Sequence, residues 1–288
     1  MRVFGCVRCR VKSVLPVVAV LCVFVLVPGP ARAMFEQGWT SVRADGMGGA
    51  FVAVADDPGA LAMNPAGLYR LAGPAMAGSY KLLFGGLGVN LHSASAGFCI
   101  PAGRAGVMGI ALRETGFELH SERTVRFGHG LKLAEGIGVG YGLAGYNLYQ
   151  KGVGSGYGFG LDVGMFAQVY RVWTLGFSAR NLNLPRIGTG PEGDLPRALA
   201  FGIGYSPKPY IHSALDLEKE PGKGTRVRVG QELRIVQDHL TLRAGISTLP
   251  VCMAFGLRAG IKSVGLDYAL KTHPELGLTH DFGIAVEF

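Results

Sequence analysis

The chain is short of charge and has no long apolar run beyond its start, and both shortages narrow its class. Only 17% of its 288 residues are charged, well under the usual quarter or so. Beyond residue 33 no apolar stretch approaches the ~18 residues that a transmembrane helix needs, which excludes helical spans there. The seven histidines are scattered, none three or four residues from another, so no helical metal-ligand spacing is present. No serine stands in a nucleophile elbow, and the candidate acids and bases form no recognisable set. A disordered chain is excluded by the 49% hydrophobic content. Glycine is in excess: its 46 residues are roughly double the usual ~7%, yet they keep no period of three, which excludes collagen.

Residues 1–33 read as a secretory signal peptide. Arg2, Arg8, Arg10 and Lys12 precede an apolar run from Val14 to Val27, and Ala31-Arg32-Ala33 supplies the small-x-small end, with cleavage expected before Met34. Removing it leaves 23 basic residues against 20 acidic, a formal charge of +3, which gives no reason to expect a nucleic-acid partner. Cys6, Cys9 and Cys22 leave with it. Only Cys99 and Cys252 remain, too few for a disulfide scaffold, and whether they pair is open at this point.

From Ala75 the chain becomes a series of period-two segments. In the last of them Phe282, Ile284, Val286 and Phe288 share one face, and Asp281, Gly283, Ala285 and Glu287 the other. Fourteen such segments can be drawn: 75–83, 87–101, 104–115, 122–133, 137–149, 156–170, 172–182, 197–206, 210–218, 225–236, 240–247, 251–261, 263–271 and 278–288. The fifth loses its phase near Gly145, which would suit a bulge. Across the segments the less apolar face is largely Gly, Ala and Ser with isolated Arg, Asp or Glu, unlike the Lys/Glu/Thr-rich face of a soluble sheet. A signal peptide, ~10-residue strands, a small-and-polar inner face and an aromatic last residue predict an all-β outer-membrane antiparallel barrel of about fourteen strands over 75–288. Connections after even-numbered segments are brief and those after odd ones mostly longer, which places both ends of the array on the periplasmic side; the first hairpin, at Phe84–Gly86, breaks the rule.

Residues 34–74 are different. Asp57-Pro58 and Asn64-Pro65 each read as an N-cap followed by proline at the first helical position, so two short helical turns are expected. This small, turn-rich segment has the composition of a plug folded into a barrel lumen. The sequences at 46–58 (GMGGAFVAVADDP) and 60–68 (ALAMNPAGL) are similar to the N-terminal signature of the FadL-like outer-membrane proteins, a family that includes long-chain fatty-acid transporters and PorV-type secretion accessories. Echoes continue at Ser178–Leu182, Ala214–Lys219 and Glu275–His280, so the resemblance covers essentially the whole mature chain. It implies a fourteen-stranded barrel with an N-terminal hatch, whose motif residues here are Gly46, Gly48, Gly49, Asp56, Asp57, Pro58, Asn64, Pro65, Ala66 and Gly67. It further implies capture of hydrophobic molecules such as fatty acids, passage past the hatch, and lateral exit into the membrane. Phe288 resembles the C-terminal signal read by the barrel-insertion machinery. The expected surroundings are outer-membrane lipid, with a secreted protein as partner under the alternative of a PorV-like accessory; a structural barrel without transport is the third reading. The longest outer connection, Asn183–Pro196, is short and polar beside the greasy capture loops of the transporter branch.

The remaining constellations carry no chemistry. Gly140-Tyr141-Gly142-Leu143-Ala144-Gly145 matches a dinucleotide fingerprint by letter, but no helix follows it to present N–H groups to a phosphate. Asp56-Asp57 has no His or Cys nearby and reads as a cap. Catalytic, cofactor-binding and metal sites are therefore expected to be absent. By strand phase Arg226, Arg228, Arg234, Arg243, Arg258 and Asp267 point inward, with Glu232, Asp281 and Glu287 on the same face. They form either a charge network that holds the hatch or a polar wall for a carboxylate-bearing substrate.

Overall fold

The computed structural model describes residues 35, 40–85, 91–188, 193–236 and 239–288; the expected signal peptide and cleavage site lie outside them. Its body is a closed antiparallel barrel of fourteen strands. They are β1 (Ala75–Gly85), β2 (His92–Pro101), β3 (Val107–Phe117), β4 (His120–Ala134), β5 (Ile137–Gln150), β6 (Gly154–Gln168) and β7 (Trp173–Arg180). The second half comprises β8 (Ala198–Lys208), β9 (Ile211–Lys219), β10 (Thr225–Val236), β11 (Leu240–Ser247), β12 (Cys252–Ile261), β13 (Val264–His273) and β14 (Gly277–Glu287). Each strand pairs with its chain neighbours, and β1 closes on β14 from Ala75↔Glu287 to Gly85↔Leu278. Every segment read from the sequence is a strand, and β10 and β11 have the bounds that the alternation predicts.

Alternation also sets what each face meets. Ile110, Leu112, Val125, Phe127, Phe255 and Leu257 are exposed on the outside, while Ala111, Thr124, Arg126, Ala254 and Gly256 face in. Closure satisfies every strand's backbone without an edge, and an apolar exterior is what hydrocarbon demands. No described helix is long and apolar enough to cross a membrane. The end that holds Ala75 and Glu287 is here termed the base, and the opposite end the mouth.

β1 ends at Gly85 and β2 is described from His92, and the expectation of a first hairpin at Phe84–Gly86 that breaks the loop rule falls partly on residues 86–90, outside the described ones. One expectation is corrected: no bulge occurs at Gly145, because β5 keeps continuous register with both β4 and β6 through it. The phase is lost because the side chains change, not the backbone: Tyr146 and Leu148 are bulky residues on the inner face, where they are buried.

Inside the barrel lies the N-terminal segment. It contains helix α1 (Val42–Gly46), helix α2 (Ala60–Met63) and a 3₁₀ turn over Pro65–Arg70. Ser41 caps α1 by accepting from the Ala44 N–H at 3.2 Å. Asn64 caps the 3₁₀ turn by accepting from the Ala66 N–H at 3.2 Å, with Pro65 at the first position, as the Asn-Pro pair predicts. Asp57 accepts from the Gly59 N–H at 2.7 Å, but α2 itself begins only at Ala60, since the first turn is made of i→i+3 bonds.

Candidate functional site in the barrel lumen

The N-terminal segment meets the wall in two ways. Against β3–β6 the contact is apolar and shape-driven. Leu61 and Leu68 are buried in one cluster with Met47, Phe51, Met63 and Cys99. The wall opposite is glycine because nothing larger fits. A Cβ on Gly128 would strike the Leu61 side chain, one on Gly140 the Pro65–Ala66 backbone, and one on Gly164 the Asn64 amide. The fingerprint-like glycines are explained by this packing: Gly140 faces the plug segment, Gly142 faces Asp162, and Gly145 points outward into open space.

Against β9–β14 the contact is polar. Arg43 of α1 reaches Glu232 at 2.8 and 3.1 Å, Asp56 at 2.5 Å and Asp57 at 3.3 Å. Arg243 binds the same Glu232 at 2.8 Å and Asp267 at 2.6 Å, and Arg258 lies 3.4 Å from Asp267 and 3.6 Å from Glu287. Asp45, on the other side of α1, is clasped by Lys81, which also lies 3.3 Å from Asp281. The Asp216 carboxylate accepts from the Phe51 and Val52 N–H groups at 2.6 and 2.9 Å. Asn64 donates to Val52 and Met165 carbonyls at 2.8 and 3.1 Å, tying two parts of the segment to β6.

The electrostatics of the clasp follow from burial and neighbours. Burial opposes the Arg43 charge, but Asp56, Glu232 and Asp57 outweigh it and raise its pKa well above the usual value. Burial likewise pushes Asp56 up, and Arg43 with Arg70 overcomes it, holding that carboxyl below the ordinary range. Asp57 goes the other way: burial prevails over Arg43 and raises it. Asp45 is held low by Lys81 against its own burial.

The sequence-derived site residues are distributed as follows. Gly46, Gly48 and Gly49 pass close to Gly256, the β11 backbone and Arg228 respectively, and Gly67 packs on Ala55. Asp56 and Asp57 sit at the Arg43 clasp, with Pro58 beside Gly97 of β2. Arg226 and Arg228 converge with Arg180 on Glu218, at 3.1, 2.6 and 2.6 Å. Arg243, Arg258 and Asp267 join the Glu232 network, and Arg234 lies 3.7 Å from Glu232. Phe288 is exposed at the base, its N–H donating to Pro74. Cys99 and Cys252 are free and buried at opposite ends, Cys99 opposite Ala75 and Cys252 opposite Ser247. No group of three metal-ligating side chains occurs among the described residues.

Sequence reading missed Arg43, Asp45 and Lys81. Their signal was isolation, since a lone charge in a segment of small residues needs a partner. It also missed the mouth. β7 pairs with β6 only up to Ala179↔Val163, and the chain then turns inward. Asn183 replaces the missing strand partner, accepting from the Leu161 N–H at 2.8 Å and donating to the Phe159 carbonyl at 2.7 Å. Ile187 and Leu195 are buried against Tyr146, Leu148 and Phe35, over Gly156 and Gly158. Phe35 stacks edge-on to Tyr146 at 5.1 Å, at the mouth, whereas the segment joins β1 at the base.

Two cavities flank α1. The larger, about 340 Å³, opens toward the mouth and has Asp45, Lys81 and Lys271 in its wall. The smaller, about 220 Å³, lies toward the base between Arg43, Glu232, Arg234 and Lys262.

A closed fourteen-strand barrel that is apolar outside and filled by its own N-terminal segment defines a transmembrane barrel class. No protein-family model matches the chain, and no curated protein matches it in sequence. Its structural neighbours are hydrocarbon transporters of the FadL type. The toluene transporter TbuX of Ralstonia pickettii has a TM-score of 0.66 at 13% identity, over 88% of this chain and 100% of that one. The toluene transporter TodX of Pseudomonas putida gives 0.62 at 11% identity, over 92% and 100%. A FadL homologue of Pseudomonas aeruginosa gives 0.61 at 10% identity, over 86% and 98%. At such identities the likeness is one of fold, and it agrees with the resemblance read at residues 46–68.

Proposed function

We propose that the chain is an outer-membrane barrel that passes small hydrophobic molecules, such as fatty acids or monoaromatic hydrocarbons, across the membrane past its N-terminal segment. The observation that carries this reading is the shared fold: the toluene transporters TbuX and TodX align with most of this chain over their full length. The lumenal segment supports a hatch role, because it fills the bore while depending on a small set of clasps at Arg43, Asp45 and Asp216. Lateral release into the membrane is part of the same proposal. Brief connections at the base and longer ones at the mouth support a periplasmic base.

A second reading, a PorV-like accessory that holds secreted proteins, draws support from the filled lumen: the cavities beside α1 are bordered by charged groups rather than by an apolar bore. The two are separated by uptake of radiolabelled toluene and palmitate into vesicles reconstituted with the mature protein. Transport predicts saturable uptake above empty vesicles for at least one of them. No uptake, together with co-purification of a secreted protein, removes the transport reading.

A further inference from the structure

We propose that the barrel holds a second, hydrophilic path, for small anions, along its β10–β13 wall, closed in this structure by helix α1. This goes beyond hydrophobic transport and does not depend on it.

The argument starts from where the two cavities lie. The mouth cavity of about 340 Å³ and the base cavity of about 220 Å³ share no lining residue. Helix α1 separates them, because Asp45 lines the first and Arg43 the second, two residues apart on the same short helix. Gly46 lies flush on the Gly256 backbone of β12, which closes the helix against that strand. Above and below this one turn of helix the wall is lined by charged side chains.

The holding forces differ from those elsewhere in the bore. On the β3–β6 side a path would require displacing Leu61 and Leu68, which are buried and have no polar substitute. At α1 the clasps are ion pairs: Arg43 with Glu232, Asp56 and Asp57, and Asp45 with Lys81. Each borders a cavity into which its charges can turn and be hydrated. A displacement of α1 exchanges ion pairs for water and also uncovers Val42, Ala44 and Met47, while one on the other wall uncovers apolar surface with no charge to hydrate.

The sign of the path follows from its lining. Lys81, Arg180, Lys223, Arg226, Arg228 and Lys271 stand in the mouth cavity against Asp45, Glu218 and Glu220. In the base cavity Arg43, Arg234, Arg243, Arg258 and Lys262 stand against Asp56, Asp57, Glu232 and Glu287. With histidine neutral and the paired carboxylates Asp281 and Asp267 included, the mouth cavity has six cations to four acids and the base cavity five to five, so the excess lies at the mouth. Lys271 projects from β13 into the mouth cavity with no ion pair among the described residues, since Asp45 is already held by Lys81. Charge of one sign lining a low-dielectric cleft concentrates ions of the other, and rings of Arg or Lys are the usual lining of anion pores.

The test uses the full mature protein in planar lipid bilayers with potassium chloride, chloride being the probe. Wild type is expected to be closed most of the time. Arg43→Gln removes the cation that joins α1 to Glu232, which Arg243 continues to hold on the wall, and should raise open probability at least roughly tenfold, with a reversal potential in a salt gradient that favours chloride. Adding Lys271→Glu to that variant should reduce or invert the preference without closing the path. Leu68→Ala, on the apolar wall, should leave conductance at the wild-type level. Barrel integrity is checked in each case by the heat-dependent shift in gel mobility. The proposal is overturned if an intact Arg43→Gln barrel stays silent, if its openings prefer potassium, if Lys271→Glu leaves the preference unchanged, or if Leu68→Ala opens the barrel equally. Toluene and palmitate uptake is measured on the same preparations, so failure here leaves the hydrophobic route to be judged separately.

Discussion

The β3–β6 wall holds the N-terminal segment chiefly by shape, and the β9–β14 wall adds charge to the same kind of fit. On the first, side chains are removed from the wall: Gly128, Gly140 and Gly164 let Leu61, Pro65 and Asn64 approach the backbone. On the second, Gly230, Gly245 and Gly256 admit the segment in the same way, and Glu232 and Asp216 also reach in to meet Arg43 and the Phe51 and Val52 N–H groups, with Lys81 of the adjoining β1 holding Asp45. Shape matching fixes position through dispersion and apolar burial, which tolerate no extra atom. Ion pairing fixes position through partners that water can replace. The first wall should therefore resist displacement, and the second should be where displacement begins.

The largest effect is expected where a buried charge loses its partner. Arg43→Met should weaken the α1 clasp by about 3–5 kcal/mol, the range for breaking one member of a buried ion pair, and hydrogen exchange should accelerate in residues 41–49 before it does in 60–70. Equal acceleration in both would erase the distinction between the walls. Leu68→Ala comes next. Its side chain is fully buried, so a loss of about 2–5 kcal/mol is expected, read as a lower midpoint in the heat-shift assay with the exchange of α1 unchanged. Gly140→Val adds atoms where Pro65 and Ala66 already touch the wall, and overpacking of this kind costs about 1–3 kcal/mol. Protease access to the segment should rise in that variant, and restoring Gly140→Ala should recover only part of it.

The smallest effect concerns pH. Asp45 and Asp56 are held below the usual carboxylate range by Lys81 and by Arg43 with Arg70, against burial. Groups depressed in the folded state stabilise it above their unfolded pKa, about 4, and that stabilisation fades only as pH falls further through the folded value. Asp57 has the opposite sign, its burial favouring the neutral form, so protonating it removes a cost rather than a support. From pH 7 to pH 5 the exchange protection of α1 should stay level; a steep loss over that window would show that the clasp rests on a carboxylate whose pKa is raised into it.

The fold was legible because strand alternation is local: β10 and β11 are read to the residue from Thr225–Val236 and Leu240–Ser247. The inward set Arg226, Arg228, Arg243, Arg258 and Asp267 was legible for the same reason, since phase alone fixes direction. What failed were the places where the inner face is not small and polar. Tyr146 and Leu148 looked like a bulge because the sequence does not reveal that Ile187 and Leu195 fold back to meet them. Partners remained hidden as well. Nothing local says that Arg43 meets Glu232, 189 residues away.

That separation bears on how the molecule is built. The N-terminal segment leads directly into β1, and β1 closes the barrel by pairing with β14, the last strand of the chain. Helix α1 packs on β11–β14, and Arg43 and Lys81 find Glu232 and Asp281 on late strands. Every other strand pairing joins chain neighbours and can form as the chain is delivered. The Arg43 clasp must wait for Glu232 of β10, and Lys81 of β1 meets Asp281 only where β14 closes the seam, so the contacts of α1 span both the middle and the end of the chain.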